Sequence, residues 1–80
     1  MNSLNWLIKW FQDNGNNTAD IEQHLDKNYF DLGYIDSFSF ILLISAIEDE
    51  LGVSFDNSEF QKREFATING LAKIIEGKKI

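Results

Sequence analysis

Cysteine and proline are both missing from the 80 residues. Without cysteine there is no disulfide, no thiolate nucleophile and no cysteine-based zinc or iron–sulfur site, and the chain suits a reducing compartment, so the expected location is cytoplasmic. Without proline, the breaks between elements fall to glycine and polar clusters: residues 14–17, Gly33, Gly52 and Gly77. Basic side chains are few, 7 against 13 acidic ones for a net charge of −6, which opposes binding to nucleic acid and favours a basic partner. Lys62, Arg63, Lys73, Lys78 and Lys79 gather toward the end of the chain and read as a solvated face rather than a groove that tracks phosphates. Long apolar runs are absent too. Residues 4–11 are interrupted by Asn5 and Lys9 and are too short for a membrane span or a signal peptide.

What is present fits one small domain, residues 1–80, in which a single modest core buries roughly 60 to 65% of the surface of the unfolded chain. The apolar spacing is helical. Leu4, Leu7, Ile8 and Phe11 form one stripe behind Ser3, the expected N-cap, with Trp10 flanking the stripe and Trp6 further round. Residues 18–26 allow a short second helix, because Ile21 and Leu25 are four apart, although nine residues need tertiary support. Residues 37–51 give the strongest helix and Gly52 its left-handed terminus. Asp56 and Glu59 form an Asp-x-x-Glu capping box beside a staple of Phe55 and Phe60, so a short helix is expected there. Thr67 is expected to cap a last helix that presents Ile68, Leu71, Ala72 and Ile75 and stops at Gly77. The predicted fold is all-α: a small bundle of three to five helices, with a long loop, residues 13–36, between the first helix and the main one, and with no repeats.

The main helix is apolar on two sides. Phe40, Leu43, Ile44, Ile47 and Leu51 fall on one stripe at about 100° per residue, the natural core face. Phe38, Ile41, Leu42 and Ser45 project from the other side near Ser37, and Glu48 and Asp49 continue that side. Either residues 53–66 cover Phe38 and Leu42, or the second face meets another molecule. The acids at 48–50 stand at the negative end of the helix dipole, where each is unfavourable by roughly 0.3 to 1 kcal/mol. Asp36 and Ser37 open the helix, where free N–H groups and the dipole favour an anion; either could be the N-cap, and a serine there could also carry a phosphodiester.

At these residues the chain resembles the acyl carrier protein family, the small phosphopantetheine-bearing domains of fatty-acid, polyketide and nonribosomal-peptide biosynthesis. Gly33, Asp36, Ser37 and Phe38 stand where the family has a Gly-x-x-Asp-Ser-Leu-like run, followed by Glu48-Asp49-Glu50 ending the helix and Thr67-Ile68 opening the last one. The likeness covers residues 28–76 well and the N-terminal quarter loosely. It implies an acyl-carrier-like bundle, a monomer and not an enzyme. It implies that Ser37 accepts 4'-phosphopantetheine from coenzyme A, that Asp36 assists the phosphopantetheinyl transferase, and that an acyl or aminoacyl group rides the arm as a thioester. The implied partners are that transferase, an acyl- or aminoacyl-loading ligase or acyltransferase, and downstream condensing or transfer enzymes, met through Phe38, Ile41, Leu42, Ser45, Glu48 and Asp49. The bundle's interior is implied to shelter an acyl chain. Two features depart from the fatty-acid members: Ser39 and Leu42 stand where an acid is common, and Phe38 follows Ser37 with Tyr-Ile before Asp-Ser. In this the chain resembles discrete carriers of specialised pathways and D-alanyl carrier proteins.

Two other readings are weaker. A hydrolase would pair Ser37 with His24, but the glycines of a nucleophile elbow are missing; a calcium loop fails because the acids at 13, 20, 22, 26, 31 and 36 do not follow its spacing. The serious rival is a helical adaptor that binds a protein through the apolar-acidic face of helix 37–51 without any covalent arm. It leaves the Asp-Ser placement unexplained.

Overall fold

The structure, a computed structural model, describes residues 3–56 and 58–78. Three α-helices carry it: α1 (Ser3–Asn14), α2 (Ser37–Leu51) and α3 (Ile68–Lys78). Short 3-10 helices at Thr18–Gln23, Glu59–Gln61 and Arg63–Ala66 fill the connections. The described residues contain no strand, and their one β-bridge pairs Asn28 with Thr67. No described helix is long and apolar enough to cross a membrane.

The helix ends follow local chemistry in most places. Gly52 takes φ 69°, closing α2 in the left-handed region that costs a residue with a side chain roughly 1 kcal/mol or more. The hydroxyl of Thr67 accepts the N–H of Gly70 at 3.0 Å, capping α3. Between α2 and α3 the capping box closes reciprocally: the N–H of Asp56 donates to Glu59 at 3.1 Å and the N–H of Glu59 donates to Asp56 at 3.2 Å. The rings of Phe55 and Phe60 lie 6.2 Å apart, completing the staple.

Three expectations need correction. Ser3 is already inside α1, fully buried, and donates its hydroxyl to the carboxylate of Glu76 across the bundle. A partner 73 positions away outcompetes the local cap. Gly77 does not stop α3, which runs to Lys78 without a left-handed residue, because Lys78 is tied to Glu59 by an ion pair at 2.7 Å. Residues 18–26 give a 3-10 helix that ends at Gln23, entered through left-handed Asn17 and bent at Asp20; only Ile21 of this stretch is buried, so little packing supports a longer helix.

The core joins Leu7 and Phe11 of α1, Leu43 and Ile47 of α2, and Ile68, Leu71, Ala72 and Ile75 of α3 to residues of the long connection, Ile21, Tyr29, Tyr34 and Ile35. That connection is sewn to the start of α3. The N–H of Tyr29 donates to the carbonyl of Ala66 at 3.1 Å, the Tyr29 hydroxyl donates to the carbonyl of Phe65, and the N–H of Asn69 donates to the carbonyl of Leu25 at 3.0 Å. Burial pushes the Tyr29 phenol far above its usual range, so it stays protonated and keeps donating. Backbone polar groups of a loop lying on a core must find such partners.

Candidate functional site

The site is built at the entry to α2. Tyr34 and Ile35 are buried, and they fix the chain immediately before the helix so that Asp36, Ser37 and Phe38 emerge on the surface. Asp36 is the N-cap, in an extended conformation, and its Oδ1 accepts the N–H of Ser39 at 2.8 Å. That bond, helped by further hydrogen bonds at the same turn, holds the Asp36 carboxyl below its usual range. It is therefore an anion at neutral pH. Ser37 is the first helical residue, exposed, and its hydroxyl has no partner among the described residues. The cap thus falls to Asp36 and leaves the serine oxygen available, at the end of the helix where the dipole favours negative charge.

Beside it lies the second apolar face. Phe38 is 71% exposed, Ile41 64% and Leu42 50%, and Ser45 and Asp49 are exposed further along. The described residues of the stretch 53–66 do not cover Phe38 or Leu42. Their aromatic rings go to the inner side of α2 instead, where Phe40 stands 6.1 Å from Phe60 and 6.0 Å from Phe65. Glu48 is half-buried, and its carboxylate accepts the N–H of Phe55 at 3.2 Å. Part of its capacity is thus spent on the loop that follows α2. His24 places Nδ1 3.4 Å from the hydroxyl of Tyr34.

Two residues on this surface are missed by sequence reasoning. Phe30 and Phe60 are each more than a third exposed and flank Phe40, with the Phe30 and Phe40 rings 5.4 Å apart. Phe60 joins Phe40, Ile41, Ile44 and Ser45 around an open crease of about 260 Å³. The staple places Phe60 next to Phe55; nothing local places it against α2.

The site thus presents an uncommitted serine hydroxyl after an ionised cap, at a helix start bordered by exposed apolar side chains. The phosphopantetheine attachment site family matches residues 15–75, and the chain belongs to that family of carrier proteins, whose cofactor is covalently bound 4'-phosphopantetheine. A D-alanyl carrier protein of Lacticaseibacillus rhamnosus is 32% identical over 57 residues, 71% of this chain and 70% of its own. D-alanyl carrier protein 1 of Lactiplantibacillus plantarum is 35% identical over 48 residues, 60% of each chain, and a D-alanyl carrier protein of Bacillus cereus is 30% identical over 56 residues, 70% of this chain and 71% of its own. No solved structure matches.

The residues present fit the cofactor. Ser37 Oγ is the oxygen that would hold the phosphodiester, and the helix start tolerates its charge beside the exposed Asp36 carboxylate. When bound, the arm would supply a terminal thiol able to hold an acyl group as a thioester.

Proposed function

We propose that the chain is a discrete aminoacyl carrier of the D-alanyl type, holding the 4'-phosphopantetheine arm on Ser37. The observation that carries the assignment of Ser37 is its exposed hydroxyl directly after the N-cap Asp36, inside the segment that matches the family. In this reading Asp36 orients the helix start and its exposed carboxylate helps to hold the transferase's magnesium ion. Phe38, Ile41, Leu42 and Ser45 meet the loading ligase and the downstream transfer enzyme, with Asp49 and the remaining capacity of Glu48 steering approach. The catalysis belongs to those partners, and the whole cycle runs in the cytoplasm on a monomer, residues 1–80 acting as one domain.

The named relatives support D-alanine as cargo, and so does the packing. The interior behind α2 is filled by rings: Phe11 and Tyr29 are centred 5.2 Å apart, Phe55 and Phe65 5.1 Å, and Phe60 and Phe65 4.9 Å. Opening a channel there for a long acyl chain would cost cavity energy, about 24 cal/mol per Å³ by analogy with core truncations. A small, polar aminoacyl group needs no such shelter and is presented outside.

Incubating the purified chain with coenzyme A and a broad-specificity transferase should add the mass of one phosphopantetheine, and Ser37→Ala should fold normally and stay unmodified. Modification that survives in Ser37→Ala would place the arm elsewhere. With the arm installed, a D-alanine ligase should add D-alanine in a form released by hydroxylamine; loading of long acyl chains in preference to D-alanine would refute the cargo while leaving the carrier reading intact.

A further inference from the structure

Away from Ser37, the outer face of α1 and the end of α2 enclose a second hollow, about 600 Å³, bordered by Trp6, Lys9, Trp10, Asp13 and Glu50. Trp6 and Trp10 are the only tryptophans in the chain. One turn apart on α1, each is half-buried, with part of its indole packed on the core and part on the hollow. The charged side chains at the border of the hollow are Lys9, Asp13 and Glu50, one net negative charge. Glu50 is exposed and has no hydrogen bond or ion pair among the described residues, and it sits in the last turn of α2, where the helix dipole adds partial negative charge. Lys9 is the one cation at the rim, and it is paired with Asp13 at 3.6 Å.

Indoles beside an unpaired carboxylate are the recognition chemistry of a cation: a ring quadrupole attracts it, the carboxylate pairs with it, and a planar guanidinium is suited to both. We propose that this hollow is a docking site for an arginine side chain on a segment of a partner protein. Charge complementarity selects that occupant: an acidic partner segment would meet Glu50 and the negative end of α2, and a purely apolar one would leave both unpaired. The site is independent of the arm. Glu50 lies thirteen residues along α2 from Ser37, about 20 Å at the helical rise, and most of the hollow is α1, which precedes the segment 15–75 that matches the family. A partner held here leaves Ser37 and its apolar surroundings free, so the carrier can be retained on one protein while its arm visits another.

The test uses an acetylated, amidated peptide with one arginine between two leucines, and a twin with citrulline, the neutral isostere. Both are titrated into isotopically labelled carrier while the indole N–H resonances of Trp6 and Trp10 and the amide of Glu50 are followed. The arginine peptide should shift all three saturably, the citrulline peptide should bind about fivefold more weakly or worse, and Glu50→Gln should weaken the arginine peptide to a similar degree. Ser37→Ala should change none of this, which separates the docking site from the proposed carrier function. Equal binding of the two peptides, binding undiminished in Glu50→Gln, shifts confined to Phe38, Ile41 and Leu42, or no saturable shift would each overturn the proposal.

Discussion

Leu42 is half exposed on a helix whose neighbouring turns bury Leu43 and Ile47 completely. Leu42→Glu should therefore leave stability within about 0.5 kcal/mol of the parent, as solvent-facing substitutions do, while impairing loading by the native partner. Chemical denaturation and a loading assay measure the two; a loss of several kcal/mol would make Leu42 a core residue. That Phe38, Ile41 and Leu42 share a face apart from the core stripe was legible from helical spacing alone, because a rigid 100° step assigns faces before any tertiary contact is known; whether residues 53–66 cover that face was not. Ser3 and Glu48 were not legible in that way. Their hydroxyl and carboxylate are claimed by Glu76, 73 positions on, and by the backbone of Phe55, 7 positions on, and no local rule anticipates either. That Asp36 rather than Ser37 caps α2 was not legible either, because both residue types suit the position.

Between α2 and α3, the capping box forms one node with the last helical turn. Asp56 accepts the hydroxyl of Ser58 at 2.6 Å, Glu59 pairs with Lys78, and the Lys78 ammonium stands 5.3 Å from the centre of the Phe55 ring. The Ser58 hydroxyl chiefly holds the Asp56 carboxyl below its usual value, and Lys78 does the same for Glu59. Carboxyls depressed in the folded state stabilise it above their unfolded values, here 3.8 for aspartate and 4.5 for glutamate, and that stability is lost as pH falls through the lower folded values. Acid titration of the thermal midpoint should show a decline below about 4.5 that is shallower in Lys78→Met, which removes the Glu59 partner. A second expectation concerns Gly70, where an added Cβ would lie 2.2 Å from the carbonyl oxygen of Glu64. Gly70→Ala should cost about 1 to 3 kcal/mol because backbone must move, and a neutral result in denaturant would mean that α3 and the 3-10 turn before it are not so closely apposed. The box and the Thr67 cap could be read from residues three apart. Whether the turns they open would be 3-10 or α depended on how much each could bury, and that is a property of the assembled bundle.

For the whole molecule, a net charge of −6 and an apolar patch beside Ser37 pull recognition in different directions. Salt screens exposed charge pairs and leaves apolar contact in place, so the equilibrium affinity of the arm-bearing carrier for its loading enzyme should fall only modestly between low and high ionic strength, with association slowing more than affinity. A steep fall, reproduced by neutralising Glu48 and Asp49 but not by truncating Phe38, would assign recognition to charge instead. The stitching of residues 25–29 to residues 65–69 has its own outcome in time. Amides in irregular connections usually trade their hydrogens for deuterium through small local openings. The amide of Tyr29, in the connection, donates to Ala66 and that of Asn69, in the first turn of α3, donates to Leu25, so neither can open without parting the long connection from α3 and the turn before it, and with it the layer that seats Tyr29 and Phe65. Their exchange should accordingly be as slow as that of the buried turns of α2 and α3, so that this stretch without regular structure keeps time with the global unfolding of the carrier.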